Sequence, residues 1–151
     1  MKRLETRWVR ESNPPSYNGK SVGCAVDVVE ISKAMLGEHV REVLVVWFLN
    51  NRHSVLGYQK IHEGSMSAVH IDVGDVMAAV LQSGASSFIV VHNHPSGVAT
   101  PSADDFKITK RLVNAAALLC RNLLDHVVVT DADHYSMQQN GTMPLATPNL
   151  L

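Results

Sequence analysis

The sequence predicts an α/β fold, a mixed β-sheet sandwiched by helices, from three observations. Runs of β-favouring residues recur at Arg41–Leu49, Phe88–Val91 and Leu124–Val129. Such near-continuous apolar runs suit strands that are buried on both faces. Between them lie segments whose apolar residues follow helical spacing, the longest from Ser102 to about Arg121,. Strands interleaved with three helices form layers around one sheet. At 151 residues and 16.5 kDa the chain fits one domain,. A domain of this size buries about 68–70% of its unfolded surface, enough for an ordinary core.

Residues 1–21 form a polar N-terminal arm, punctuated by Asn13-Pro14-Pro15 and Asn18-Gly19, with Leu4, Trp8 and Val9 as possible anchors,. Asp27 to Glu38 carries Val28, Val29, Ile31, Met35 and Leu36 at helical spacing and stops near Gly37,. Arg41–Leu49 is the most β-favouring run and is expected as a central strand,. Asn50-Asn51 suggests a hairpin into a second strand over His53–His62,. Ser65–Ile71 reads as a third strand and Asp75–Gln82 as a helix, with Asp72 and Asp75 as candidate caps,. Ser86–His92 is the fourth strand. In the long helix after Ser102, Phe106, Val113, Ala116, Ala117 and Cys120 form an apolar stripe, and Lys107, Lys110, Arg111 and Asn114 face solvent,. Leu124–Val129 is a further strand, Tyr135–Met137 an edge, and 142–151 a C-terminal tail. No internal repeat or low-complexity segment is present.

The stretch from Phe88 to Asp105, FIVVHNHPSGVATPSADD, carries the chemistry. Side chains alternate along a strand, so His92 and His94 point one way and Asn93 the other. Pro95 ends the ladder, and Gly97 and Pro101 suit a turning loop. Asp105, on the next helix, can reach the same point as the two imidazoles. Two His and one carboxylate leave an open position on a tetrahedral ion, as catalytic zinc sites do. A zinc-bound water loses its proton near pH ~7 instead of ~15.7. Each residue also has a plainer reading. A single His is usually structural, and Ser102-x-x-Asp105 before an apolar segment outlines a capping box. Capping and metal binding are compatible, because a capped helix start can still present a carboxylate.

His92-x-His94, seven residues, Ser102, two residues and Asp105 match the H-x-H-x7-S-x-x-D signature, and on it the chain resembles the JAMM metalloproteases of the MPN superfamily. The strings HNHPSG, PSADD, TKRL and LLDHVVV resemble the RadC branch in particular, over residues 22–141. The resemblance implies the MPN fold, similar in architecture to cytidine deaminases. It implies zinc held by His92, His94 and Asp105. It selects Glu42, at the start of the strand after the first helix, as the proton shuttle; among the rivals Glu63, Glu30 and Glu38, Glu63 ranks next because it sits beside Gly64 near a strand end. It gives Ser102 a hydrogen bond to the oxyanion of the tetrahedral intermediate. The implied activity is hydrolysis of a peptide or isopeptide amide. Two departures stand out. Ile71-Asp72-Val73-Gly74-Asp75 replaces a usual Pro-Arg-Glu turn, and Val98-Ala99 stands where Gly-Asp-Pro is frequent.

Other classes fit less well. RadC-type proteins are named for DNA repair, but a net charge of −1 offers no basic field for nucleic acid,. The chain shows no helix-hairpin-helix segment, and His92-Asn93-His94 lacks the dispersed layout of an HNH nuclease. A non-catalytic interaction module is the other alternative, although such MPN domains typically lose ligands and this chain keeps all three. A zinc deaminase needs H-x-E and P-C-x-x-C, and neither is here,. Cys24 and Cys120 have no metal-binding or redox spacing and are expected as small buried hydrophobes in a reducing compartment,. No apolar run reaches the ~20 residues of a membrane span, and no signal-peptide core opens the chain, so a cytoplasmic location is expected. His39, His53, His62, His70 and His134 read as surface or turn residues. His126, beside Asp125, has no nucleophilic Ser to complete a triad and is expected to pack or to support a ligand from behind.

Overall fold

Every residue of the run Val43–Leu49 is buried. A strand loses both faces to the interior only when other elements cover each of them. The computed structural model, which describes residues 3, 5–9, 26–36, 39–64 and 71–147, supplies both covers. The elements are α1 (Val26–Leu36), β1 (Glu42–Leu49), β2 (Val55–Gly64), α2 (Val73–Ser83), β3 (Ser87–Asn93), α3 (Ala103–Leu118), β4 (Asn122–Val129) and β5 (His134–Ser136). The strands form one sheet in the order β2-β1-β3-β4-β5. β3 and β4 run parallel, joined through α3, and the other pairings are antiparallel. This is the mixed α/β sandwich expected from the sequence.

Strand alternation divides the core. Leu44, Val46, Phe48, Phe88 and Val90 pack with Val76 and Val80 of α2 and Ile108 and Leu112 of α3. Val43, Val45, Trp47, Ile89 and Val91 pack on the other face with Val28, Val29 and Leu36 of α1. Trp47 Nε1 donates to Ser32 Oγ at 3.0 Å, which satisfies the indole inside that layer,. Asn50 organises the β1–β2 hairpin: its Oδ1 accepts from the N–H groups of Arg52 and Ser54 at 2.8 and 3.0 Å. Asp72 caps α2 through Gly74 N–H at 2.7 Å, while Asp75 lies inside its first turn. Gly84 closes the same helix with φ 72°, where a side chain would be strained,.

Several expectations need correction. Of the expected third strand, residues 65–70 lie outside the described residues, and Ile71 belongs to no strand. The buried face of α3 is Asp105, Ile108, Thr109, Leu112 and Ala116, not the stripe through Phe106, Ala117 and Cys120. Cys120 is exposed and takes a positive φ of 53° just past the helix, so it is no core residue; Cys24 lies outside the described residues. Lys110 and Asn114 do not simply face water. Lys110 Nζ donates to the carbonyl of Leu145 at 2.6 Å, and Asn114 Oδ1 accepts from Thr147 N–H at 2.9 Å, so residues 142–147 lie along α3. Trp8 packs edge-on against Phe48, with ring centroids 5.9 Å apart, whereas Val9 is exposed and Leu4 lies outside the described residues. Among the described residues no helix is long and apolar enough to cross a membrane.

Candidate metal centre

β3 sits between β1 and β4, so its C-terminal end is held on both sides. His92 is fully buried there, on the face it shares with Val90 and Phe88. His94 lies just beyond the strand, and its backbone N–H donates to Val129 O at 2.9 Å, keeping it beside β4. Pro95 starts the turn, Gly97 takes φ 78°, and Gly97 N–H donates back to His94 O at 3.1 Å. This turn brings Val98 O within 2.8 Å of His94 Nδ1. A carbonyl oxygen only accepts, so Nδ1 carries a proton, and the Nε2 of the neutral ring presents its lone pair. That Nε2 lies 3.0 Å from His92 Nε2.

Asp105 enters from the first turn of α3. Its Oδ1 lies 3.3 Å from His92 Nε2 and its Oδ2 3.4 Å from His94 Nε2. The capping box is complete. Ser102 Oγ accepts from Asp105 N–H at 3.1 Å, and Asp105 Oδ2 accepts from Ser102 N–H at 2.6 Å. Ser102 Oγ–H also donates to Oδ2, at 2.7 Å. Oδ2 is therefore well supplied with donors and also lies near His94, while Oδ1 faces His92. Burial works to raise the Asp105 pKa, but the adjacent His92 and His94 imidazoles, with Ser102, prevail and hold the carboxyl well below the usual carboxylate range,. The Asp105 carboxylate raises the pKa of His94 against the opposing effect of burial.

His92, His94 and Asp105 together offer three ligand atoms within 4.8 Å of one another. Ligand bonds of 2.0–2.1 Å around a tetrahedral ion place neighbouring donor atoms roughly 3.3 Å apart. The two imidazole nitrogens lie 3.0 Å apart, and the carboxylate brings Oδ1 to 3.3 Å from His92 Nε2 and Oδ2 to 3.4 Å from His94 Nε2, separations of that size. Imidazole nitrogens and a carboxylate oxygen suit zinc among other divalent ions. The residues present can hold a metal ion.

Strand register places the remaining candidates. Leu44 pairs with His92 across β1 and β3, so Glu42, two residues earlier, lies on the same face and toward His94,. The Glu42 carboxylate also contributes to the raised pKa of His94. Asn93 points to the opposite face and fixes the approach to Glu42. Its Oδ1 accepts from Val43 N–H at 2.7 Å, and its Nδ2 donates to the carbonyls of His39 and Arg41 at 3.3 and 3.0 Å. Glu63 pairs with Val43 and so faces away from the imidazoles; a bond to Lys60 at 2.6 Å lowers its pKa. Glu30 is exposed on α1, and Glu38 lies outside the described residues. Ser102 is exposed at the start of α3, next to Asp105.

The side chain that sequence spacing undervalued is His126. It is fully buried, with Nε2 2.8 Å from His92 Nδ1. Burial pushes its pKa down to about 3. Its neighbour Asp125 is occupied elsewhere, accepting from Ser136 Oγ at 2.5 Å and from Gln138 N–H at 2.9 Å. The Asp-His sequence is thus no catalytic pair. The available signal was an ionisable residue placed directly before an apolar strand run.

Residues 22–142 match the family model described as the RadC-like JAB domain. The chain belongs to this family. Among curated relatives of the RadC-like JAB domain are proteins named UPF0758. That of Acidithiobacillus ferrooxidans is 38% identical over 123 residues, covering 82% of this chain and 55% of the relative. That of Coxiella burnetii is 32% identical over 140 residues, covering 93% of this chain and 61% of the relative. That of Pseudomonas syringae pv. tomato is 39% identical over 111 residues, 74% and 50% of the two chains. The chain thus spans 50–61% of the length of these relatives.

Proposed function

We propose that this RadC-like JAB domain is a zinc-dependent hydrolase that cleaves an amide bond in a peptide or isopeptide. The observation that carries this reading is the convergence of His92 Nε2, His94 Nε2 and the Asp105 carboxylate at distances suited to one ion. A bound divalent ion would supply a Lewis acid and an acidified water. The chain's own residues do the rest. Glu42 takes the proton from the attacking water and returns it to the departing nitrogen, because β1 sets it on the ligand face beside His94. Asn93 keeps Glu42 there by bonding the backbone on both sides of it. Ser102 Oγ, exposed at the start of α3, turns from Asp105 toward substrate and donates to the developing oxyanion. Exposed Val98, whose carbonyl meets His94 Nδ1, gives the substrate an apolar contact beside the site.

The reaction class is tested with protein stripped by a chelator and then restored with zinc, screened against peptide and isopeptide libraries by mass spectrometry. Cleavage is expected only in the restored sample. Equal cleavage by both samples, with metal loss verified, would exclude this chemistry.

A further inference from the structure

A closed hydrogen-bond path runs behind the candidate ligands, and its polarity follows from one end. Thr109 Oγ1 lies 2.5 Å from the carbonyl oxygen of Asp105. That oxygen only accepts, so the hydroxyl's single proton goes there. The same Oγ1 lies 2.5 Å from His126 Nδ1. Its proton already used, Oγ1 accepts, and His126 Nδ1 is the donor. His126 Nε2 lies 2.8 Å from His92 Nδ1, and the ring is fully buried, which favours the neutral form,. A neutral ring protonated at Nδ1 accepts at Nε2. His92 therefore donates from Nδ1, and its Nε2 keeps the lone pair that faces His94 and Asp105.

We propose that Thr109 and His126 are positioning residues that set the tautomer and orientation of His92 and thereby the metal affinity of the site. The inference rests on the metal reading above and adds what makes His92 competent for it. The path begins on one ligand and ends on the backbone of another, so it ties β3, β4 and α3 together at the site. Packing alone would be served by apolar side chains. Buried polar groups in a row cost stability unless each is satisfied, and here every position has its partner.

Thr109→Val is the informative change, since it keeps the shape and removes the acceptor. His126 then gains by moving its proton to Nε2, where it confronts His92 Nδ1–H. His92 responds by protonating Nε2, and the lone pair is lost to the metal. Loss of such a supporting partner typically lowers metal affinity about 10–100-fold. Thr109→Ser keeps the hydroxyl. The experiment measures zinc affinity of wild type, T109V and T109S by competition with a chromogenic chelator, beside ¹⁵N NMR of the histidine rings. The expected result is weaker zinc binding in T109V by about 10–100-fold, wild-type affinity in T109S, and a coupling between His92 Nδ1 and His126 Nε2 through the hydrogen bond in wild type. Equal affinities in T109V and T109S, or a wild-type His126 protonated at Nε2, would overturn the relay while leaving the metal reading intact. A wild-type chain that binds no zinc would overturn both.

Discussion

Glu42→Gln leaves zinc uptake at the wild-type level and lowers hydrolytic turnover by about 10²–10⁴-fold, the range for loss of a positioned general acid–base. The substitution keeps the shape and removes the charge and with it the ability to take and return a proton. Glu42 is not among the three grouped ligand residues, so metal content should not change. It lies at the open end of β1, where Asn93 fixes the backbone of Arg41 and Val43 around it. A carboxylate so placed keeps its distance from His94 without needing to be fully buried. The test is metal analysis and steady-state kinetics on the same preparation. Wild-type turnover in the variant would remove Glu42 from the reaction. Loss of metal with activity would make it a supporting residue of the site instead.

Ser102→Ala separates a stabilising role from a chemical one. As the N-cap of α3, Ser102 contributes about 1 kcal/mol to stability,. As the donor to an oxyanion it contributes ~2.7–4 kcal/mol to the transition state, or about 10²–10³ in turnover. The variant is therefore expected to fold with a modestly lowered melting temperature and to lose most of its activity. Asp105 keeps its bond from the backbone N–H of residue 102, so the metal site should survive. A variant with full turnover and only the small stability loss would reduce Ser102 to a cap.

Much of this site was legible in the sequence because its spacing is geometric. The period of a strand puts His92 and His94 on one face whatever surrounds them, and Ser102-x-x-Asp105 signals a helix start by local bonding alone. The sheet was legible for a related reason, since the apolar runs of β1 and β3 leave few alternatives to a covered centre. The buried face of α3 was not. Hydrophobic patterning passes over Asp105, whose carboxylate lies against His92 and His94, and Thr109, which bonds to His126, and this turned the expected stripe onto Phe106 and Ala117. His126 was undervalued because its partners come from β3 and α3, far away in sequence. The bonds from Lys110 and Asn114 to residues 145 and 147 depend on tertiary approach, which a charge pattern on one helix does not encode.

The central claim is that His92, His94 and Asp105 form a working metal site. Elemental analysis of the purified protein beside His94→Ala and Asp105→Ala tests it most directly. About one zinc per wild-type chain is predicted, as one tetrahedral site of three protein ligands requires, with loss in both variants. Wild-type protein that stays metal-free after incubation with zinc, or variants that retain the metal, would contradict it.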